Sequence, residues 1–90
     1  MDVPEDGVSR AALVREVARI VGVEPGAISG REDLVRLGVG SVDLMRLVNA
    51  LRMRGLPVTF AELAAEPTID GWCGRLRTLA RTHPYWRAAS

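Results

Sequence analysis

Three stretches of this chain place apolar residues at helical spacing, and together they hold most of what could form a core. Leu13, Val17, Ile20 and Val21 recur at i, i+4, i+7 and i+8. Leu44, Leu47, Val48 and Leu51 form a second stripe, and Ile69, Trp72, Cys73, Leu76 and Leu79/Ala80 a third. Phe60, Trp72, Tyr85 and Trp86 are the only aromatic residues. The core must therefore be built mainly from Leu, Val, Ile and Ala, which suits packed helices. Ninety residues make one domain.

Local signals set the boundaries. Ser9 can cap a first helix that Gly22 is placed to end. A long connection follows, "VEPGAISGREDLVRLGVG", whose Ile28, Leu34 and Leu37 could hold it against the core. The second helix should run from about Ser41 to Arg54, with Gly55 and Pro57 marking its stop. Thr59 and Glu62 make a capping-box pattern for a short third helix through about Ala65. Pro67 breaks the chain, and Thr68 can cap a fourth helix that ends at His83-Pro84. The expectation is an all-α, small four-helix bundle with a long loop between helices one and two and a short helix three. The domain should cover 9–82, with an N-terminal tail at 1–8 and a C-terminal tail or linker at 83–90.

Charge and cysteine content remove several classes of function. Twelve basic residues face eleven acidic ones, so no general polyanion partner is implied and nucleic acid is not expected. One cysteine excludes an internal disulfide, and with the single His83 it argues against a zinc site; no metal is expected. No apolar stretch approaches membrane-spanning length, and "MDVPEDGVSR" is acidic without an apolar run. A cytoplasmic monomer with no membrane partner is the expectation.

Attention then falls on Ser41, between a glycine-rich turn and the second helix. With Ser41 at zero and about 100° per residue, Leu44, Leu47, Val48 and Leu51 fall between about 240° and 340°, the core face. Met45 lands near 40°, and Val42 and Met53 near 100° to 120°. The serine thus has apolar neighbours the core does not claim, rimmed by Arg46, Asn49 and Arg52. That composition suits a transient docking surface, unless the short third helix covers Met45.

Catalysis by Ser41 finds no support. A nucleophilic serine needs a base within reach, and the only histidine lies after the last helix stop. The stretch G-V-G-S-V lacks the second glycine of a nucleophile elbow and a flanking strand. Glu32, Asp33 and Asp43 are close in sequence, but no pocket is evident to raise a pKa. A phosphate-binding loop is excluded too, since the GK[ST] ending is missing and the chain has no lysine. Cys73 reads as a small buried hydrophobe and Trp72 as a core anchor, while Tyr85 and Trp86 either fold back on the bundle or begin a linker. No catalytic residue is assigned.

A serine with no local base can still be a substrate for modification, and here the sequence resembles a known family. "LVRLGVGSVDLM" resembles the L-x-x-L-G-x-D/H-S-[LIV]-x-x-[LM] signature of phosphopantetheinylated carrier proteins. "VTFAELAAEPTIDGW" is similar to the V-x-F-x-x-L-x-x-x-P-T-[IL]-x-x-W stretch found most often in aryl carrier domains of siderophore synthesis. The resemblance spans about residues 9 to 80. It implies that Ser41 bears a 4′-phosphopantetheine arm derived from coenzyme A, approached through Gly38, Val39 and Gly40. The arm would hold an aryl or aminoacyl group as a thioester and shuttle it between enzymes of nonribosomal peptide or siderophore-like biosynthesis.

The implied partners are a phosphopantetheinyl transferase, an adenylation enzyme that activates an aryl or amino acid, and a condensation or other downstream synthetase domain. Val42, Met45, Phe60 and Ala64 are the implied contact residues. The domain itself would do no chemistry. Two alternatives stand beside the aryl carrier: a peptidyl or aminoacyl carrier, against which the missing G-G-H/D-S motif counts, and a helical docking module that is never modified. The chain departs from the family at Gly40, where Asp or His usually precedes the serine. It departs again in charge, since Arg46, Arg52 and Arg54 outnumber Asp43 on the second helix.

Overall fold

The fold is set by how each helix begins. In the computed structural model, which describes residues 9–82, α1 (Arg10–Val21) starts where the Ser9 hydroxyl accepts the Ala12 N–H at 3.0 Å. It stops at Gly22, whose left-handed φ of +79° lets the N–H of Gly22 and of Val23 both return to the Ala18 carbonyl. Further on, α3 spans Ser41–Met53, α4 Phe60–Ala65 and α5 Ile69–Thr82. All regular structure among the described residues is helical, as expected.

The long connection holds more structure than anticipated. It contains a 3-10 turn at Pro25–Ala27 and a single-turn helix, α2 (Leu34–Leu37). Asp33 caps α2 by accepting the N–H groups of Val35 and Arg36 at 2.9 and 3.3 Å. Leu34 is fully buried, and Ile28 and Leu37 pack against the core, so the loop is held by the residues proposed for that role. Two backbone bonds tie it to the start of α5: Leu34 N–H to Pro67 O at 2.8 Å and Asp70 N–H to Gly30 O at 3.0 Å. At Gly30 the backbone lies so close to the Arg10–Asp70 ion pair that a methyl group would overlap both side chains.

The Thr59/Glu62 capping box of α4 is formed in both directions, at 3.1 and 2.9 Å. Glu62 also pairs with Arg75 of α5. The N–H bond from Thr59, followed by the Arg75 guanidinium, holds the Glu62 carboxyl below its ordinary value. Thr68 caps α5 by accepting the Gly71 N–H at 2.9 Å.

Leu13, Val17, Leu44, Val48, Leu51, Leu63, Ile69, Trp72 and Leu76 all lie in one buried cluster. Each large aliphatic side chain there contributes about 1.5 to 3 kcal/mol of transfer free energy. Trp72 is its central anchor, and its indole N–H is satisfied by the Leu63 carbonyl at 2.9 Å. Cys73 is half-buried against the cluster, and burial pushes its thiol up, in keeping with a packing role. No helix among the described residues is long and apolar enough to cross a membrane. The two tails, with His83, Tyr85 and Trp86, lie outside the described residues.

Candidate functional site

Ser41 is the first residue of α3 and is exposed. Its backbone approach is built from three residues with different tasks. Gly38 closes α2 with a φ of +131°, a backbone conformation that strains any residue with a side chain. The Gly38 N–H returns to the Leu34 carbonyl at 3.1 Å.

Val39 holds this approach in place. Its side chain is only 5% exposed and belongs to the core, and its N–H donates to the Leu34 carbonyl at 2.9 Å. The approach to Ser41 is thus anchored rather than loose. A β-branched residue set between two exposed glycines acts as a plug that fixes where α3 starts.

Gly40 is the N-cap of α3, with φ −90° and ψ 174°, a conformation open to any residue. It has no side chain to accept an N–H of the first turn. The reverse bond exists: Asp43 accepts the Gly40 N–H at 3.1 Å. Asp43 therefore supplies one half of a capping box and places a carboxylate in the first turn of α3. The amides of Ser41 and Val42 have no carbonyl further back in the helix to bond.

The helical wheel of α3 holds. Leu44, Val48 and Leu51 are buried and Leu47 packs against the core. Val42 is 64% and Met45 48% exposed, so α4 does not cover Met45. Ala64 is exposed on α4, which packs against α3. Phe60 is half-buried and leans on the core, so a good part of its ring is packing. Arg46 is exposed, whereas Arg52 has a structural task that sequence spacing does not reveal: its guanidinium donates to the Val58 carbonyl at 3.1 Å.

Among the described residues, nothing around Ser41 makes it a nucleophile in its own right. Asp43, the nearest carboxylate in sequence, is turned onto the Gly40 amide. Among the described residues no three His, Cys, Asp or Glu side chains gather as metal ligands would. What the site offers is an exposed hydroxyl at the positive end of a thirteen-residue helix.

Comparison with known proteins gives this geometry a context. Residues 11–76 match the family described as "Phosphopantetheine attachment site". Phenyloxazoline synthase MbtB of Mycobacterium tuberculosis is 44% identical over 57 residues, which cover 63% of this chain and 4% of that protein. The isochorismatase of Bacillus subtilis is 41% identical over 64 residues, 71% of this chain and 20% of the relative. Pyochelin synthetase PchE of Pseudomonas aeruginosa is 35% identical over 79 residues, 80% of this chain and 5% of the relative. The chain thus spans a small part of the proteins it resembles. No solved structure matches it.

The residues present fit the group that the family carries. An exposed hydroxyl accepts a bulky substituent without disturbing the core. Unbonded first-turn amides and the helix dipole favour a phosphodiester beside them. The chain belongs to the phosphopantetheine attachment site family, which is defined by a covalently attached 4′-phosphopantetheine.

Proposed function

We propose that Ser41 is the attachment residue and that the domain is an aryl carrier of nonribosomal peptide or siderophore-like biosynthesis. The observation that carries this reading is the exposed Ser41 hydroxyl on the first turn of α3, held there by Gly38 and the buried Val39. The arm supplies a terminal thiol on which an acyl or aryl group is held as a thioester. The chain's own residues supply the rest: the Ser41 hydroxyl as acceptor, the first-turn amides of α3 facing the phosphodiester, and an apolar flank of Val42 and Met45 for enzymes to grip. With no base beside it among the described residues, Ser41 depends on a phosphopantetheinyl transferase to take its proton. An adenylation enzyme then loads the thiol, and a condensation or other synthetase domain consumes the product.

The aryl assignment draws on the names of relatives. A phenyloxazoline synthase makes a product with a phenyl ring, and 44% identity to part of it favours the same class of cargo here. The charge of α3 agrees, since Asp43 stands against Arg46, Arg52 and Arg54 and partners with basic docking patches would be repelled.

Loading tests the reading. The protein bearing the arm is offered to an aryl-acid-activating and to an amino-acid-activating enzyme. Acid-stable mass gain with the aryl acid alone supports an aryl carrier. Gain with the amino acid alone makes it an aminoacyl or peptidyl carrier. A chain that never accepts the arm is a docking module.

A further inference from the structure

The chain contains three methionines, Met1, Met45 and Met53, and the two among the described residues are both exposed on α3. Met45 is 48% and Met53 86% exposed. The buried core is made of Leu, Val, Ile, Ala and Trp and holds no methionine among the described residues. Methionine is ordinarily one of the more buried residue types and fills gaps between packed side chains. Met45 fills no such gap. Its thioether stands half in solvent one turn after Ser41, about 6 Å along the helix axis.

We propose that Met45 is an oxidative modification site through which peroxide reversibly turns off partner docking. The proposal rests on Met45 as a partner contact, as set out above, and adds its regulation. Hydrogen peroxide is the co-reactant. A sulfur lone pair of Met45 attacks one peroxide oxygen, an S–O bond forms as the O–O bond breaks, and the second oxygen leaves as water. The thioether loses two electrons and becomes a sulfoxide, while the peroxide is reduced. A methionine sulfoxide reductase reverses the step with a dithiol, which becomes a disulfide as the oxygen departs as water.

Exposure decides both reactivity and consequence. The Met45 sulfur meets peroxide without any opening of the fold. The sulfoxide that results is polar and keeps its water on the free domain, whereas an apolar partner pocket has to strip that water. The fold therefore keeps its stability while docking weakens. Met53 is an internal contrast: it is more exposed, yet it is the last residue of α3, about 12 Å beyond Met45 along the axis. Cys73 is the other sulfur among the described residues. It is half-buried and burial pushes its thiol up, which leaves little thiolate to react.

The test treats the full chain with hydrogen peroxide before the arm is attached. Catalase then removes the oxidant, and dithiothreitol returns reversibly oxidised Cys73 to the thiol without reducing sulfoxides. A transferase attaches the arm from coenzyme A, and only protein shown by intact mass to be fully armed enters the assay. Transfer is read with whichever of the activating enzyme and the condensation domain Met45→Asp slows. Peptide mapping should find sulfoxide at both Met45 and Met53, with the melting temperature unchanged. The apparent KM for the carrier should rise about tenfold with kcat nearly constant. Met53→Leu should show the same rise after peroxide, and Met45→Leu, compared with itself before and after peroxide, should show none. Reductases for the two sulfoxide epimers should return KM to its starting value.

A Met45 that stays a thioether while Met53 oxidises would overturn the proposal. So would a rise in KM that persists in Met45→Leu, or a melting temperature lowered by many degrees. Met45→Asp separates the two levels of argument. If that variant transfers normally with every partner, the docking reading falls and this proposal with it. A slow Met45→Asp beside a Met45 sulfoxide with unchanged KM removes the proposal alone.

Discussion

The carboxylate of Asp43 accepts the backbone N–H of Gly40 at 3.1 Å, closing half of a helix cap whose other half a glycine has no side chain to make. The backbone at Gly40 admits any residue, and a Cβ there would meet Asp43 Oδ2 at 3.6 Å, an ordinary contact. Gly40→Asn should therefore complete the box and raise stability by about 0.5 kcal/mol, from the cap and from reduced freedom of the unfolded chain. Gly40→Asp should gain less, because its carboxylate would lie beside that of Asp43. Urea denaturation of the two variants checks the order; a loss of stability in Gly40→Asn contradicts it.

Gly38 cannot be replaced so easily. Its φ of +131° is strained for any residue with a side chain, and Val21 lies against the position a methyl would take. Gly38→Ala should cost about 1 to 3 kcal/mol. A thermal melt within a degree of the parent would show that the turn relaxes at no cost.

Leu44 and Met45 are sequence neighbours about 100° apart around α3, one buried at 4% exposure and one exposed at 48%. Leu44→Ala should lose roughly 2 to 5 kcal/mol through the cavity it leaves. Met45→Asp should melt near the parent, since a charge at an exposed position keeps its water. Transfer of the loaded group to or from at least one partner enzyme should slow markedly in Met45→Asp, because an apolar pocket strips that water. Denaturation beside a thioester-transfer assay reads both effects, and equal transfer with every partner removes Met45 from the interface.

Acid should loosen α4 through Glu62. Its carboxyl is held below the ordinary value of 4.5 by the Thr59 N–H bond and the Arg75 guanidinium. A depressed folded-state pKa gives stability that is fully present above the unfolded value and is lost as pH falls through the folded one. Stability should therefore decline below about pH 4.5, and Glu62→Gln should flatten that part of the profile. An unchanged acid limb in Glu62→Gln would show that other carboxylates set it.

What sequence alone revealed follows from how local each signal is. The caps at Ser9, Thr59 and Thr68 involve residues three apart, and all three form. The stripe on α3 is long enough to fix its angle, so Leu44, Val48 and Leu51 land in the core. The single turn α2 is too short to show a period. Val39, one apolar residue between glycines, looks like loop yet is buried. Arg52 reaches the Val58 carbonyl only because the chain reverses at Gly55. Leu13 of α1 and Leu47 of α3 line one groove although they lie some thirty positions apart, and no local pattern encodes their proximity.

The central claim is that Ser41 is the residue modified. Intact mass spectrometry after incubation with coenzyme A and a broad phosphopantetheinyl transferase tests it directly, on the parent and on Ser41→Ala. As the first helical residue rather than the cap, Ser41 should change to Ala at a cost of no more than about 1 kcal/mol, so the variant stays folded. One phosphopantetheine adduct on the parent, mapped to the peptide containing Ser41, and none on folded Ser41→Ala is the predicted result. An adduct that persists in Ser41→Ala, or a parent chain that takes none, would contradict the account.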